Sequence, residues 1–307
     1  VRGRADEALE ARSRVSPATG RSYPLTLICE VWRVPRSSVY AARDRGLREP
    51  SPPKKRGPKT ELSDEVLVER IREVLKESDF LGEGHRKVRF RLRSKGIRVG
   101  KNRVLRLMRE HGLLAPVRRH GHARGDRSHS GRITTDAPNE LWGTDATRFY
   151  TKQDGWCWFF GAVDHCISDV VGWHVARKGD RWAALEPIRQ GVQAHMDGYA
   201  PRIALGLGLR HDWGPQYTAH QFQGELRWLG IRSTPAYVGE PECNGVAERF
   251  MRTLKEECLY LHDFESLEEA REIIRDFIER YNHGWLVERH GYMTPAEART
   301  ELTRMAA

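Results

Sequence analysis

The stretch from Asn139 to residue 283 confines this chain to few folds. Three runs rich in aromatic and β-branched residues, Leu141–Tyr150, Trp156–Val163 and Val170–Ala176, are separated by Gln153-Asp154-Gly155 and by His165–Asp169. That is the pattern of three antiparallel strands on short connections. Apolar periodicity then predicts a helix over Trp182–Met196, a glycine-rich strand over Ile203–Leu209, a helix from about Thr218 to Leu229 and a strand near Ile231–Thr234. Two closing helices are predicted over 242–260 and 266–283. The order β-β-β-α-β-α-β-α-α implies a mixed sheet with helices on its faces.

Ahead of this stretch the chain is helical and basic. Residues 1–135 hold 33 Lys and Arg against 16 Asp and Glu, whereas the remainder holds 19 against 26. A uniform compositional bias toward arginine would not reverse the sign, so the front half reads as an electrostatic footprint for nucleic acid. Residues 25–45 suit two short helices around the break at Arg33-Val34-Pro35, the second capped by Ser37 or Ser38. Pro- and Gly-rich residues 50–60 read as an extended linker whose Lys54, Lys55, Arg56 and Lys59 can serve as a basic arm. A second helical module spans 63–115, opening at Ser63 or Asp64 with Val66, Leu67, Ile71, Val74 and Leu75 on its apolar face. Arg86 to Arg109 contains 11 basic residues and no acidic one, and a helix starting near Gly100–Asn102 would turn Arg103, Arg106 and Arg109 outward toward DNA. Residues 116–135 are a polar linker.

No apolar run approaches the roughly 18 residues of a membrane span, and Val1–Gly20 lacks the apolar stretch of a signal peptide. A cytoplasmic, nucleoid-associated protein is therefore expected. The five cysteines contain no C-x-x-C pair, which points to reduced, unliganded thiols.

Three carboxylates stand out by position: Asp145 in the first strand, Asp212 after the fourth, and Glu248 early in a helix. Sixty-six residues separate the first two and 35 the last two. With 15 Asp and 27 Glu in the chain, about one Asp–Glu pair at any chosen separation arises by chance, so spacing carries little. The flanks carry the weight. W-x-x-D-x-T-x-F around Asp145, D-x-G-x-x-Y from Asp212 to Tyr217, and N-x-x-x-E-R-F from Asn244, followed by Leu254-Lys255-Glu256-Glu257, together resemble the integrase-type catalytic core of DDE transposases and retroviral integrases. The resemblance is greatest to second-frame proteins of two-frame bacterial insertion sequences. Arg103–Leu114 and Tyr292-Met-Thr-Pro-Ala-Glu297 resemble further parts of such proteins.

The resemblance implies a ribonuclease-H-like mixed five-stranded sheet preceded by small all-α helix-turn-helix modules. The domains expected are 1–60, 61–135 and 136–300. It implies DNA cleavage and strand transfer at element ends, with Asp145, Asp212 and Glu248 holding two Mg²⁺ or Mn²⁺ ions and Asp145 bridging them. Phosphoryl transfer calls for such a centre, because an oxygen nucleophile must be activated and charge on phosphorus stabilised, and hard cations take oxygen ligands. Lys255 and Arg252, on the face of Glu248, and Asn244 are candidate DNA contacts. Arg252 can equally pair at i,i+4 with an acid, and Asn244 can cap its helix. His211 is a candidate support for Asp212; Tyr217 should pack the core, and Asp164 and Asp169 read as turn or edge residues. The implied partners are double-stranded DNA, a first-frame protein or fusion with one, and further copies of the chain. One departure is that Tyr281-Asn282 runs into His-Gly-Trp-Leu-Val-Glu-Arg-His, where family members often show Arg-Pro-His. Two rivals remain: a domesticated, non-enzymatic DNA-binding relative, and a nuclease that cuts RNA in hybrids.

Overall fold

The computed structural model describes residues 2–46, 62–116, 135–236 and 244–306. The 50–60 arm, Cys243 and nearly all of the 116–135 linker lie outside these. The chain forms two units, Val1–Glu61 and Leu62–Ala307.

The first unit has three helices, α1 (Arg2–Ser13), α2 (Leu25–Val31) and α3 (Arg36–Gly46). They share a small core of Ala5, Ala8, Leu25, Ile28, Cys29, Val34, Val39 and Ala42. Sequence pattern does not announce α1, because its buried residues are alanines, which favour helix yet leave almost no apolar periodicity. α3 begins at Arg36, just ahead of the serines expected to cap it.

The second unit opens with α4 (Asp64–Glu77), α5 (His85–Ser94) and α6 (Lys101–Glu110). Ser63 caps α4 by accepting from Val66 N at 3.4 Å. Leu67, Ile71 and Val74 meet Val88, Leu92, Val104, Leu107 and Met108 in one core, whereas Val66 faces solvent.

The sheet comes next: β1 (Leu141–Thr151), β2 (Gly155–Asp164), β3 (Val170–Ala176), β4 (Gly208–His211) and β5 (Arg232–Pro235), in the spatial order β3-β2-β1-β4-β5. The first three strands pair antiparallel; β1–β4 and β4–β5 pair parallel. This is the ribonuclease-H-like mixed sheet. β4 is much shorter than the run Ile203–Leu209 suggested. Positive φ at Arg202 and Gly206 keeps that run in turns. One sheet face packs Trp142, Phe160 and Val171 against α7 (Arg181–His195) and, after the short α8 (Pro215–Thr218), α9 (His220–Leu229). The other packs Phe149, Phe159, Val163 and Val175 against α10 (Gly245–Leu254) and α11 (Leu267–Gly284).

A last helix, α12 (Pro295–Ala306), lies beyond the expected elements. Thr294 and Glu297 start it with a reciprocal capping box, each side chain accepting from the other's backbone N–H. It delivers Arg299 to Asp164 and Asp169. Both acids sit at the β2–β3 turn, as expected, but they are buried there and not solvent-facing. Arg299 Nε donates to Asp169 at 2.6 Å, Nη2 to Asp164 at 3.4 Å, and Nη1 to Asn139 at 3.2 Å.

The run of basic residues in α5 is not a solvent-facing stripe. Its acids lie outside the run itself, one just ahead of the helix and one far along the chain. Arg86 pairs with Glu288 at 2.5 Å, and Arg91 grips fully buried Glu83 through two bonds at 2.6 and 2.7 Å. Lys87 lies over the Trp285 ring, where burial pushes its pKa down to about 7. Phe80 meets the edge of Trp285 at 5.0 Å, and Phe90 stacks on Tyr292. Glu257 accepts from Leu81 N and Gly82 N at 2.8 and 2.6 Å. A Cβ on Gly82 would lie 2.4 Å from that carboxylate, so a side chain there would break the contact. The divergent segment 283–290 is thus where the helical module seats on the sheet domain.

Candidate active site

Asp145 sits two residues past the point where β4 stops pairing with β1. Its side chain is half-buried, and Oδ1 accepts from Ala146 N at 2.8 Å. Burial pushes its pKa up to about 6; the Ala146 bond opposes this, Asp212's charge adds to it, and Lys255's charge offsets part. Close packing accounts for the glycine two residues before it, Gly143. A Cβ there would fall 2.5 Å from Asn244 Oδ1 and 2.6 Å from His165 Nε2.

α10 crosses this end of β1. Asp145, Glu248, Met251, Arg252, Lys255, Glu256 and Tyr260 line one cavity of about 310 Å³. Glu248 is exposed at its rim. Arg252 Nε donates to Glu256 at 3.0 Å, the i,i+4 alternative. Lys255 forms no ion pair among the described residues. Asn244 is a correction. Its side chain is 6 % exposed and makes no capping bond. Nδ2 instead donates to Thr144 O at 3.0 Å, so it braces α10 against β1 and is not placed to meet a phosphate.

Asp212 stands exposed beyond β4, outside the cavity lining, and accepts from Gly214 N at 2.8 Å. A Cβ on Gly214 would press on Asp212 and Gln216, which accounts for the glycine of D-x-G. His211 is buried and supports this turn, its ring 2.7 Å from Asp212 O and 2.8 Å from Ser233 Oγ. Burial lowers its pKa, keeping it neutral. Tyr217 is fully buried and stacks on His211.

The donor set is all hard oxygen. Among the described residues no three His, Cys, Asp or Glu side chains form a ready-made ion cage. Mg²⁺ is commonly held by one or two carboxylates together with substrate oxygens, and Asp145 with Glu248 supply that many in one cavity. The residues therefore fit a divalent cation.

In the helical module, Arg103 corrects its expected orientation. It is half-buried, donating to Asp64 at 2.8 Å and Leu62 O at 2.7 Å. Arg106 shares Asp64 at 2.7 Å and also pairs with Glu110. These two guanidinium groups hold the Asp64 pKa down to about 2. Arg109 is exposed, as are Arg98 and Lys101, and none of the three has an ion pair among the described residues. Sequence reasoning missed Tyr260 in the cavity and Arg299 beneath the sheet. The capping box was the available signal for α12.

Residues 229–295 match the family described as Integrase core domain, and residues 61–121 the HTH-like domain. The 31 kDa protein of IS600 from Shigella sonnei is 27% identical over 91% of this chain and 100% of its own length. The putative transposase InsK of IS150 from Escherichia coli is 26% identical, covering 91% and 94%. The IS904 transposase of Lactococcus lactis is 28% identical, covering 74% and 90%. Among solved structures, the catalytic core of BIV integrase is 22% identical with a TM-score of 0.39, covering 55% of this chain and 98% of that one. An overlap that loose carries no weight, and the strand order itself defines the fold. A ribonuclease-H-like core bearing a cavity with two carboxylates, joined to an HTH-like domain, is the class of a polynucleotidyl transferase. The chain is similar to insertion-sequence transposases with an integrase-type catalytic core. Among the described residues no helix is long and apolar enough to cross a membrane.

Proposed function

We propose that this transposase cuts DNA at the ends of its insertion sequence and transfers the freed strand to target DNA at a centre made by Asp145, Asp212 and Glu248. The observation that carries this reading is the shared cavity. Asp145 and Glu248 line it together with Lys255 and Arg252, and Asp145 feels the charge of Asp212. Carboxylates crowded this way repel one another, so the site favours a cation between them. A bound divalent cation supplies Lewis-acid polarisation of a phosphate oxygen and lowers the pKa of an oxygen nucleophile. Two such ions are part of the proposal. The carboxylates hold and orient, Lys255 neutralises backbone phosphate at the cavity wall, and Arg252 can join it by leaving Glu256. No side chain becomes bonded to DNA in this scheme.

α6 is the proposed reading helix, with Lys101 at its start and Arg98 and Arg109 beside it. Asp64 holds Arg103 and Arg106 as braces of that helix, leaving Arg109 as the direct phosphate contact of the three. The same reading has the chain act on double-stranded DNA as an oligomer, with a first-frame protein or as a fusion with one. No observation favours the non-enzymatic rival.

A duplex carrying the element's labelled end tests this. With Mg²⁺ the protein is expected to nick at the element boundary and join the new 3′ end to a second duplex. Glu248→Gln should lose both products by at least a factor of about 10³, in the range seen when a charge-stabilising group is removed. Full activity in that variant would sink the proposal.

A further inference from the structure

We infer that Tyr260 is a DNA-contact residue whose ring stacks on a base beside the scissile phosphate; this rests on the function proposed above. The inference comes from a change of helical register. Positions 248, 252, 255 and 259 would share one face of a continuous α-helix, and residue 260 would point about 120° away. The chain does not continue that way. After α10 the backbone forms a π-helical turn, Lys255–Leu259, closed by Tyr260 N donating to Lys255 O at 2.9 Å, an i→i+5 bond.

That turn takes up one extra residue, rotating the downstream residues by about 100°. Leu259 therefore goes into the core, 7% exposed, packed with Cys258 and Phe264. Tyr260 takes its place on the cavity side, 56% exposed, in line with Glu248, Arg252 and Lys255. It is the one aromatic ring among the residues lining the cavity. The cavity then presents carboxylates, two cations and a flat ring. A DNA strand end offers a matching set: a phosphate for the charged groups and, one nucleotide away, a base whose face can lie on a ring. Aromatic stacking on an unpaired base is tolerant of sequence and strong enough to hold a frayed end. The π-turn is also anchored from behind, because Glu257 within it holds Leu81 N and Gly82 N of the helical module.

The test uses the full chain and a duplex bearing the element's terminal repeat, with 2-aminopurine at the positions flanking the cleavage site. Wild-type protein is expected to quench the fluorescence on binding. Tyr260→Ala should lose the quenching and slow single-turnover cleavage in Mg²⁺ about ten- to a hundredfold, the scale of one lost base stack. Tyr260→Phe should match wild type in both, since the ring is what is used. Unchanged quenching and rate in Tyr260→Ala would overturn the inference. So would Tyr260→Phe behaving like Tyr260→Ala, which would assign the role to the hydroxyl. If wild type quenches yet never cleaves, the contact stands and the proposed activity falls.

Discussion

Replacing Asp145 by asparagine should raise the thermal midpoint of the cation-free protein at pH 7 by about 5 °C while removing DNA cleavage. The stability effect comes from burial. A carboxyl whose pKa rises from 3.8 to about 6 is on the order of 2–3 kcal/mol less favourable when ionised in the folded state. In a protein of this size each kcal/mol moves the midpoint by about 2–4 °C, and partial exposure of Asp145 argues for the lower part of the range. The sign is fixed by linkage. Between about pH 4 and 6 the folded state binds more protons than the unfolded one, so stability falls as pH rises through that window and stays lower above it. Asp164 and Asp169 are also pushed upward by burial. The difference between wild type and Asp145→Asn isolates the one group. Mg²⁺ should raise the wild-type midpoint at pH 7 and leave that of Asp145→Asn nearly unmoved. Calorimetry at pH 4.5 and 7.5, with and without Mg²⁺, reads all of this. Identical pH profiles for the two proteins would refute it.

Arg299→Met should destabilise the second unit by about 3–5 kcal/mol in urea unfolding. Arg299 holds two carboxylates, Asp164 at 0% exposure and Asp169 at 4%. Removing one partner of a buried ion pair leaves charge in a low-dielectric interior, which costs far more than the pair itself gains. Protonation can relieve it, so the loss should be smaller at pH 5 than at pH 8. Adding Asp169→Asn should recover part of the loss. The consequence reaches β1, because Asp164 also accepts from Asn139 N at 2.7 Å, just ahead of the strand that carries Asp145. A loss below about 1 kcal/mol would mean that solvent reaches these acids.

The three antiparallel strands were legible because their alternation and turns are local. Phe149, Cys157 and Phe159 face one way, and Trp142 and Phe160 the other, as a two-residue period requires. The three acids of the proposed centre stand out in the sequence through their flanks, and the structure gives those flanks physical reasons: Gly143 and Gly214 leave room for Asn244 and Asp212. Other features depended on partners no local window contains. The basic run in α5 looked uncompensated because Arg86 finds its acid 202 residues away. Arg103 looked outward until Asp64, across the module, claimed it. Asn244 looked like a cap or a DNA contact, and its amide turned out to brace α10 against β1. The π-turn shifts one hydrogen bond by one residue, which a 3.6-residue period read across 242–260 does not register. α12 differs, since its capping box was visible in Thr294–Glu297.

The central claim is that Asp145, Asp212 and Glu248 act as one centre, although Asp212 lies outside the cavity and reaches Asp145 through its charge. The direct measurement is the single-turnover rate of strand transfer in Mg²⁺ for Asp145→Asn, Asp212→Asn, and the two together. Groups that act as a unit give losses that do not multiply. Each single variant is expected to lose at least about 10³-fold, with the double variant no slower than the worse single one. Full strand transfer by Asp212→Asn would contradict the account.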